Sequence, residues 1–340
     1  MEPLLQVEDL RTYFYTRRGV VKAVDGVSFS VAPGETLGIV GESGSGKTIT
    51  SLSLLRLVPQ PGGKIVGGKI LFEGVNLLQL REAEMRDYRG SKISMILQDP
   101  MASLNPVYTI GEQVAEPLRQ HQHLAGKTLW DKVTEALRLL RIPSPRERLR
   151  NYPHEMSGGM RQRVVGGIAI SCRPKLIIAD EPTTALDATI QAQYLALLKD
   201  LQRQTNVAII FVSHDFGIVA RMCDRVAVMY AGKIVETASV RELFSNPQHP
   251  YTIGLVNSVP RLDRKVERLA SIEGQPPALL NLPPGCRFAP RCYAVFDRCW
   301  QEEPPRVRVG DGHFASCWNV LYPPSPTEKE EAASTGHARA

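Results

Sequence analysis

The chain has 340 residues, 43% of them hydrophobic and 22% charged, enough apolar material for one large core plus an appendage, which excludes a fibrous or wholly disordered protein. Its formal net charge is +6, but the basic residues are interleaved with acids, the pattern of solvated faces rather than of a nucleic-acid stripe. The longest apolar run, Val207–Val212, is far short of the ~20 residues a membrane span needs.

The N-terminus, "MEPLLQVEDL", carries an early acid and lacks the basic and apolar regions of a secretion signal, so a cytoplasmic location is expected. A reducing compartment disfavours lasting disulfides.

From Thr36 the chain reads "TLGIVGESGSGKTITSLSLLRLV". The short β-branched run suits a buried strand, and the leucines after the glycines repeat at helical spacing. Between them Gly41, Gly46, Lys47 and Thr48 complete G-x-x-x-x-G-K-[ST], a loop whose backbone N–H groups wrap phosphate oxygens. A helix beginning near Gly46 adds its positive end. Gly41, Ser43, Gly44, Ser45, Gly46, Lys47, Thr48 and Ile49 are thus candidate phosphate contacts. Lys47 would meet the β- and γ-phosphates, and Thr48 would offer its hydroxyl to Mg²⁺.

Next comes "SGGM", in which Ser157, Gly158 and Gly159 precede a helical run beginning near Met160. A helix N-terminus suits an anion, and a second anion site in one chain suggests service to a neighbouring molecule. By itself the triplet reads as a flexible linker.

A second buried strand is expected in "KLIIAD", with Asp180 and Glu181 at its carboxyl end, where ligands sit in open α/β sheets. Asp180 is suited to hold magnesium through water and Glu181 to act as general base.

These motifs, in this order, resemble the nucleotide-binding subunits of ATP-binding cassette (ABC) transporters. Also matching are Gln98 in "MILQDP", "ALD" ending at Asp187, and "FVSHD" with His214; the likeness spans about residues 4–245. It implies an α/β fold: a P-loop NTPase cassette with a RecA-like core, an antiparallel β subdomain and a helical subdomain at about 99–171, plus an irregular C-terminal extension. It further implies that Gln98 touches Mg²⁺ and the lytic water, that Thr48 and Asp180 join it as magnesium ligands, and that His214 contacts the γ-phosphate. Ser157–Met160 would bind the ATP of a partner subunit, and Asp187 would link two sites across a dimer. An aromatic upstream of the phosphate loop should stack on adenine; "TYFYT" supplies Tyr13, Phe14 and Tyr15, and alignment favours Phe14. Two departures stand out: Met160 replaces the usual signature glutamine, and Thr184 replaces the serine of the "SALD" segment.

"GESGSGKT", "QDPMASLNP", "SGGMRQRV" and "HPYT" together resemble the subgroup energising dipeptide and oligopeptide import, with nickel importers close by. The implied partners are a second ATPase subunit, a related but distinct chain in many such systems, two transmembrane permease subunits and an extracytoplasmic solute-binding protein, with no nucleic acid. The chain would work at the cytoplasmic face of the membrane. A soluble cassette ATPase is the rival, but only about 110 residues separate phosphate loop and signature, without sustained heptads, and there is one cassette.

The implied domains are 1–245 for the ATPase, 246–325 for a proline-rich extension, and 326–340 as a disordered tail. Cys286, Cys292, Cys299 and Cys317 fall in the extension at intervals C-x5-C-x6-C-x17-C, without the C-x2-4-C pairs usual for structural zinc. Spacing does not choose between metals; the resemblance implies a structural [4Fe–4S] cluster, with zinc and free thiols as the alternatives. Cys172 and Cys223, in apolar surroundings, are expected to be buried and inert.

Overall fold

The computed structural model describes residues 2–184, 186–259 and 271–322. The expected tail at 326–340 lies outside the described residues, as does Ala185. In chain order the strands are β1 (Leu5–Thr16), β2 (Gly19–Val31), β3 (Thr36–Val40), β4 (Gly63–Phe72), β5 (Val75–Asn76), β6 (Ile93–Ile96), β7 (Leu176–Asp180), β8 (Ala208–Ser213), β9 (Arg225–Tyr230), β10 (Lys233–Ser239), β11 (Val307–Gly310) and β12 (His313–Ala315). The chain divides into two compact units: Met1–Gln6, Ser30–Leu37 and Lys69–Val212 form one, while Val7–Phe29, Gly38–Gly68 and Ser213–Ala340 form the other.

In the first unit β6 pairs with β7 and β7 with β8, both parallel, with Asp180 opposite Val212. Every residue of β7 is buried, as are those of β8. Strands covered on both faces read as unbroken apolar runs, which is why "LIIA" and "AIIFV" show no alternation. The helix Ala188–Thr205 starts at Asp187, whose carboxylate accepts from the N–H groups of Thr189 and Ile190, and stops at Asn206 in the left-handed conformation. Its buried face carries Tyr194, Leu195, Leu197, Leu198 and Leu201. The helices Ile110–Gln122, Gly126–Leu139 and Gly158–Ile170 pack on one another; Val114, Leu118, Val133 and Leu137 are fully buried between them.

In the second unit β9, β10, β12 and β11 form an antiparallel sequence of neighbours. The hairpin β11–β12 comes from the C-terminal extension, so that segment is more regular than its proline content suggests. Pairing along β10 satisfies backbone groups that an edge strand would leave open. Behind this sheet Glu236, 1% exposed, accepts from the N–H groups of Gln248 and His249 and pairs with His313 at 2.8 Å. His249 Nδ1 in turn accepts from Tyr251 N–H and caps the helix Pro250–Asn257. Cys172 and Cys223 are buried, as their apolar surroundings led one to expect.

Burial lowers the His249 pKa to about 3, so the folded state keeps the ring neutral where the unfolded chain protonates it. Between about pH 6.5 and about 3 the unfolded state therefore binds the extra proton, and stability falls as pH falls, by about 1.4 kcal/mol per pH unit. His249→Asn, which retains an acceptor for Tyr251 N–H, should show a shallower loss in urea unfolding between pH 7 and pH 5. Equal slopes for the two proteins would show that His249 is not buried neutral.

Candidate functional site

β3 delivers the chain to Gly41, and the loop that follows is shaped by glycines for two different reasons. A Cβ on Gly41 would lie 2.1 Å from the Met229 carbonyl oxygen of β9, and one on Gly46 would lie 2.3 Å from the Ala23 carbonyl oxygen of β2. Gly44 instead faces open space, but its φ of +78 disfavours a side chain. The helix Lys47–Leu54 then begins without a side-chain cap and without an acid in its first turn, so its positive end is uncontested.

Lys47 is 5% exposed and its Nζ donates to the carbonyls of Gly41 and Glu42 at 2.7 and 3.0 Å, curling the loop around its own ammonium. Ser45 Oγ is buried without a hydrogen-bond partner among the described residues. An orphaned hydroxyl beside a buried cation and an uncapped helix is what a phosphate cradle requires. Ser43 and Thr48 are exposed, and Ile49 is half-buried.

Glu42, inside the loop, is fixed from outside it. Its N–H donates to the Tyr251 hydroxyl at 2.9 Å, and Arg291 forks onto its carboxylate at 2.8 and 3.1 Å. Neither Tyr251 nor Arg291 was singled out as a site residue from sequence. The only signal was the "HPYT" motif, read there as a mark of subgroup.

Strand alternation separates the aromatic candidates. Thr12 and Phe14 share one face of β1; Thr12 hydrogen-bonds Ser53 of the helix after the loop at 2.8 Å. Tyr13 points the other way and donates to Asp25 at 2.6 Å, while Tyr15 is half-exposed with Lys64 over its ring. His214 is exposed immediately after β8, where the next residue, Asp215, caps the helix Phe216–Met222.

The first unit holds the carboxylates. Asp180 is the last residue of β7 and 3% exposed. Glu181 follows with φ +46, a left-handed conformation that costs a non-glycine residue about 1 kcal/mol. Its N–H is held by the Val212 carbonyl, and its Oε2 accepts from Gln98 Nε2 and from Thr184 Oγ1, each at 3.1 Å. Thr184, which departs from the serine expected there, is thus a direct orienter of the acid. Ser157 is the N-cap of Gly158–Ile170, and its Oγ accepts from Met160 N–H. The helix begins two residues before the expected Met160. A Cβ on Gly158 would meet nothing, whereas one on Gly159 would meet Ile190 at 2.6 Å. Asp187 is exposed and caps its own helix.

The iron–sulfur expectation is not supported. Among the described residues no group of three or more His, Cys, Asp or Glu side chains is placed to hold a metal ion. Cys286, Cys292, Cys299 and Cys317 are free thiols. Cys299 belongs to a small apolar cluster with Ala289 and Trp318, against which Cys286, Val295 and Phe296 pack. Burial, with smaller contributions from the neighbouring thiols, pushes Cys292 and Cys317 up to about 12. The described thiols thus lend no support to a cluster or to zinc at this place.

Residues 24–184 match the family model described as "ABC transporter", and residues 235–299 match that of the "Oligopeptide/dipeptide transporter, C-terminal region". The chain is 52% identical, over 93% of its length and 94% of the relative's, to a probable peptide ABC transporter ATP-binding protein of Sinorhizobium fredii. It is 50% identical to the oligopeptide transport ATP-binding protein OppD of Bacillus subtilis, covering 95% of this chain and 90% of that one. A dimeric ATP-binding cassette solved with ADP and phosphate shares the fold at TM-score 0.63 and 24% identity, covering 70% of this chain and 99% of that one.

The loop geometry separates two otherwise similar substitutions. Gly41→Ala forces a Cβ into the Met229 carbonyl and should lower unfolding free energy by roughly 2 to 3 kcal/mol. Gly44→Ala pays only for its left-handed backbone and should cost about 1 kcal/mol. Urea unfolding of both decides; equal losses would mean that the loop does not rest on β9.

Proposed function

The chain belongs to the ATPase subunits of ABC transporters, in the group that carries the oligopeptide/dipeptide C-terminal region, and from that premise we propose that it energises import of dipeptides or oligopeptides across the cell membrane. The observation that carries the reading is the buried Lys47 curled against the carbonyls of Gly41 and Glu42, at the foot of an uncapped helix. That is a cradle for a polyphosphate. The peptide cargo follows from what the relatives are named for and from the matched C-terminal region.

In this reading the loop from Gly41 to Ile49 binds the phosphates of ATP, with Lys47 on the β- and γ-phosphoryl groups. Phe14, on the face of β1 that also carries Thr12, is the adenine-stacking residue, since the Tyr13 hydroxyl is committed to Asp25. Magnesium, held by Thr48, Gln98 and Asp180, would neutralise charge on the transferring phosphoryl group. Glu181 takes a proton from the attacking water; Gln98 and Thr184 hold its carboxylate in one orientation, which favours that transfer. His214 contacts the γ-phosphate. Ser157, Gly158, Gly159 and Met160 meet the nucleotide of a second ATPase subunit, and Asp187 couples the two sites.

Subunits of this kind act with membrane permeases and, for import, a solute-binding protein. Among the described residues no helix is long and apolar enough to cross a membrane, so attachment to the cytoplasmic face would run through the permease subunits. The domain division 1–245 and 246–325 belongs to the same reading. It does not extend to an iron–sulfur cluster, for which the thiols provide no ligand set.

Glu181→Gln keeps the hydrogen-bonding shape but not the base. With the partner subunits present it should bind MgATP about as tightly as the parent chain and hydrolyse it about 10² to 10⁴-fold more slowly. Hydrolysis within a few-fold of the parent would remove Glu181 from the chemistry.

A further inference from the structure

Glu42 is held at all three of its polar groups, two of them by residues of the C-terminal extension. Its carbonyl accepts from Lys47 Nζ and from Ser45 N–H, both within the loop. Its N–H is taken by Tyr251, and its carboxylate by Arg291. Neither holder is loosely placed. Tyr251 is fully buried on a helix capped by His249, and its ring lies 4.6 Å from that of Tyr230 and 5.4 Å from that of Phe288. The Arg291 side chain is 5% exposed and its guanidinium also donates to the carbonyls of Glu273 and Ile272 while lying over the rings of Tyr230 and Phe288.

Four residues earlier, Arg287 does the same for the other flank. Buried at 6% exposure, it pairs with Asp25 of β2 and donates to the Ala231 carbonyl at 2.5 Å. The next residue, Gly232, donates to the Ser45 carbonyl at 2.8 Å and accepts from Asp25 N–H. Both arginines therefore support the loop, Arg291 through the Glu42 carboxylate and Arg287 through the β9–β10 turn whose Gly232 meets Ser45.

We propose that Tyr251 and Arg291 of the C-terminal extension are positioning residues for nucleotide binding, holding the first turn of the phosphate loop in its binding conformation through Glu42. The inference rests on the reading of Gly41 to Thr48 as the ATP phosphate site. The Tyr251 hydroxyl holds the Glu42 peptide N–H while the bidentate Arg291 anchors its side chain, so that residue is restrained at both ends. Without them the loop can sample other arrangements, and the apparent affinity falls by the fraction of time the binding conformation is lost. The extension would then be a structural half of the nucleotide site as well as an appendage to it.

The test is affinity for a fluorescent ATP analogue, with Mg²⁺, on the purified full chain, alongside urea unfolding without nucleotide. Tyr251→Phe removes one oxygen and should weaken binding about five-fold; Arg291→Gln should weaken it about ten-fold or more. The Glu42→Gln/Arg291→Gln double variant should bind no worse than the weaker single, since both break one contact. Arg291→Lys, which keeps the charge but not the fork, should recover only part of the loss. Parent-like affinity for Tyr251→Phe and Arg291→Gln, with stability alone reduced, would overturn the proposal, as would fully additive losses in the double variant. Should Arg291→Gln fail to fold, Tyr251→Phe decides alone. Lys47→Ala is the control on the premise. If it binds ATP like the parent, the phosphate-loop reading has failed; if it loses binding while Tyr251→Phe does not, only the clamp has failed.

Discussion

A backbone cradle for an anion must keep one shape while leaving the N–H groups that face its ligand uncommitted. That requirement governs much of the second unit. The loop is closed from within by Lys47 on the carbonyls of Gly41 and Glu42. From without it is closed by carbonyls of β2 and β9 too near Gly46 and Gly41 for any side chain, and by the clamp on Glu42. Each restraint acts on the rear or the start of the loop. Rigidity of this kind reduces the ordering cost when a polyphosphate binds.

The acidic end of β7 solves a related problem by different means. Parallel pairing to β8 fixes the Asp180 backbone opposite Val212, and the next residue turns sharply into a left-handed conformation. Strain at Glu181 persists because the surroundings determine it twice over. Its N–H is bound to Val212, and its carboxylate is bound by an amide from one side and a hydroxyl from the other. A carboxylate held by two donors is aimed, one of the properties a base requires.

The C-terminal extension gains its order from packing. Phe288 stacks among Tyr230, His249 and Tyr251, Trp318 covers Cys299 and Ala289, and β11–β12 closes along β10. Burial of the Asp25 carboxyl would raise its pKa, yet the Tyr13 hydroxyl and the Arg287 guanidinium bring it below its usual range, so that ion pair is retained inside the fold. Four thiols in this setting behave as apolar side chains. The matched C-terminal region, residues 235–299, contains Tyr251, Arg287 and Arg291, so the segment that distinguishes the subgroup also contains the supports of the phosphate loop.

Local rules made much of this legible in one dimension. The β-branched run at Thr36–Val40, the glycine spacing before Lys47 and the apolar run leading to Asp180 each reflect forces acting within a few residues, and the two strands and the helix formed where expected. The caps at Ser157 and Asp187 were not anticipated but are equally local, since a short polar side chain and the following N–H groups meet within one turn. What sequence could not supply was any pairing across distance: Glu42 with Arg291, 249 residues apart, and Asp25 with Arg287, 262 apart. Nor could cysteine spacing decide between a metal site and a core, because intervals along a chain do not fix where four sulfurs point. Sequence determined the chemistry of each segment, because backbone conformation and side-chain type are local. The fold alone decided which groups support which, because burial and long-range hydrogen bonds exist only once the chain has closed on itself.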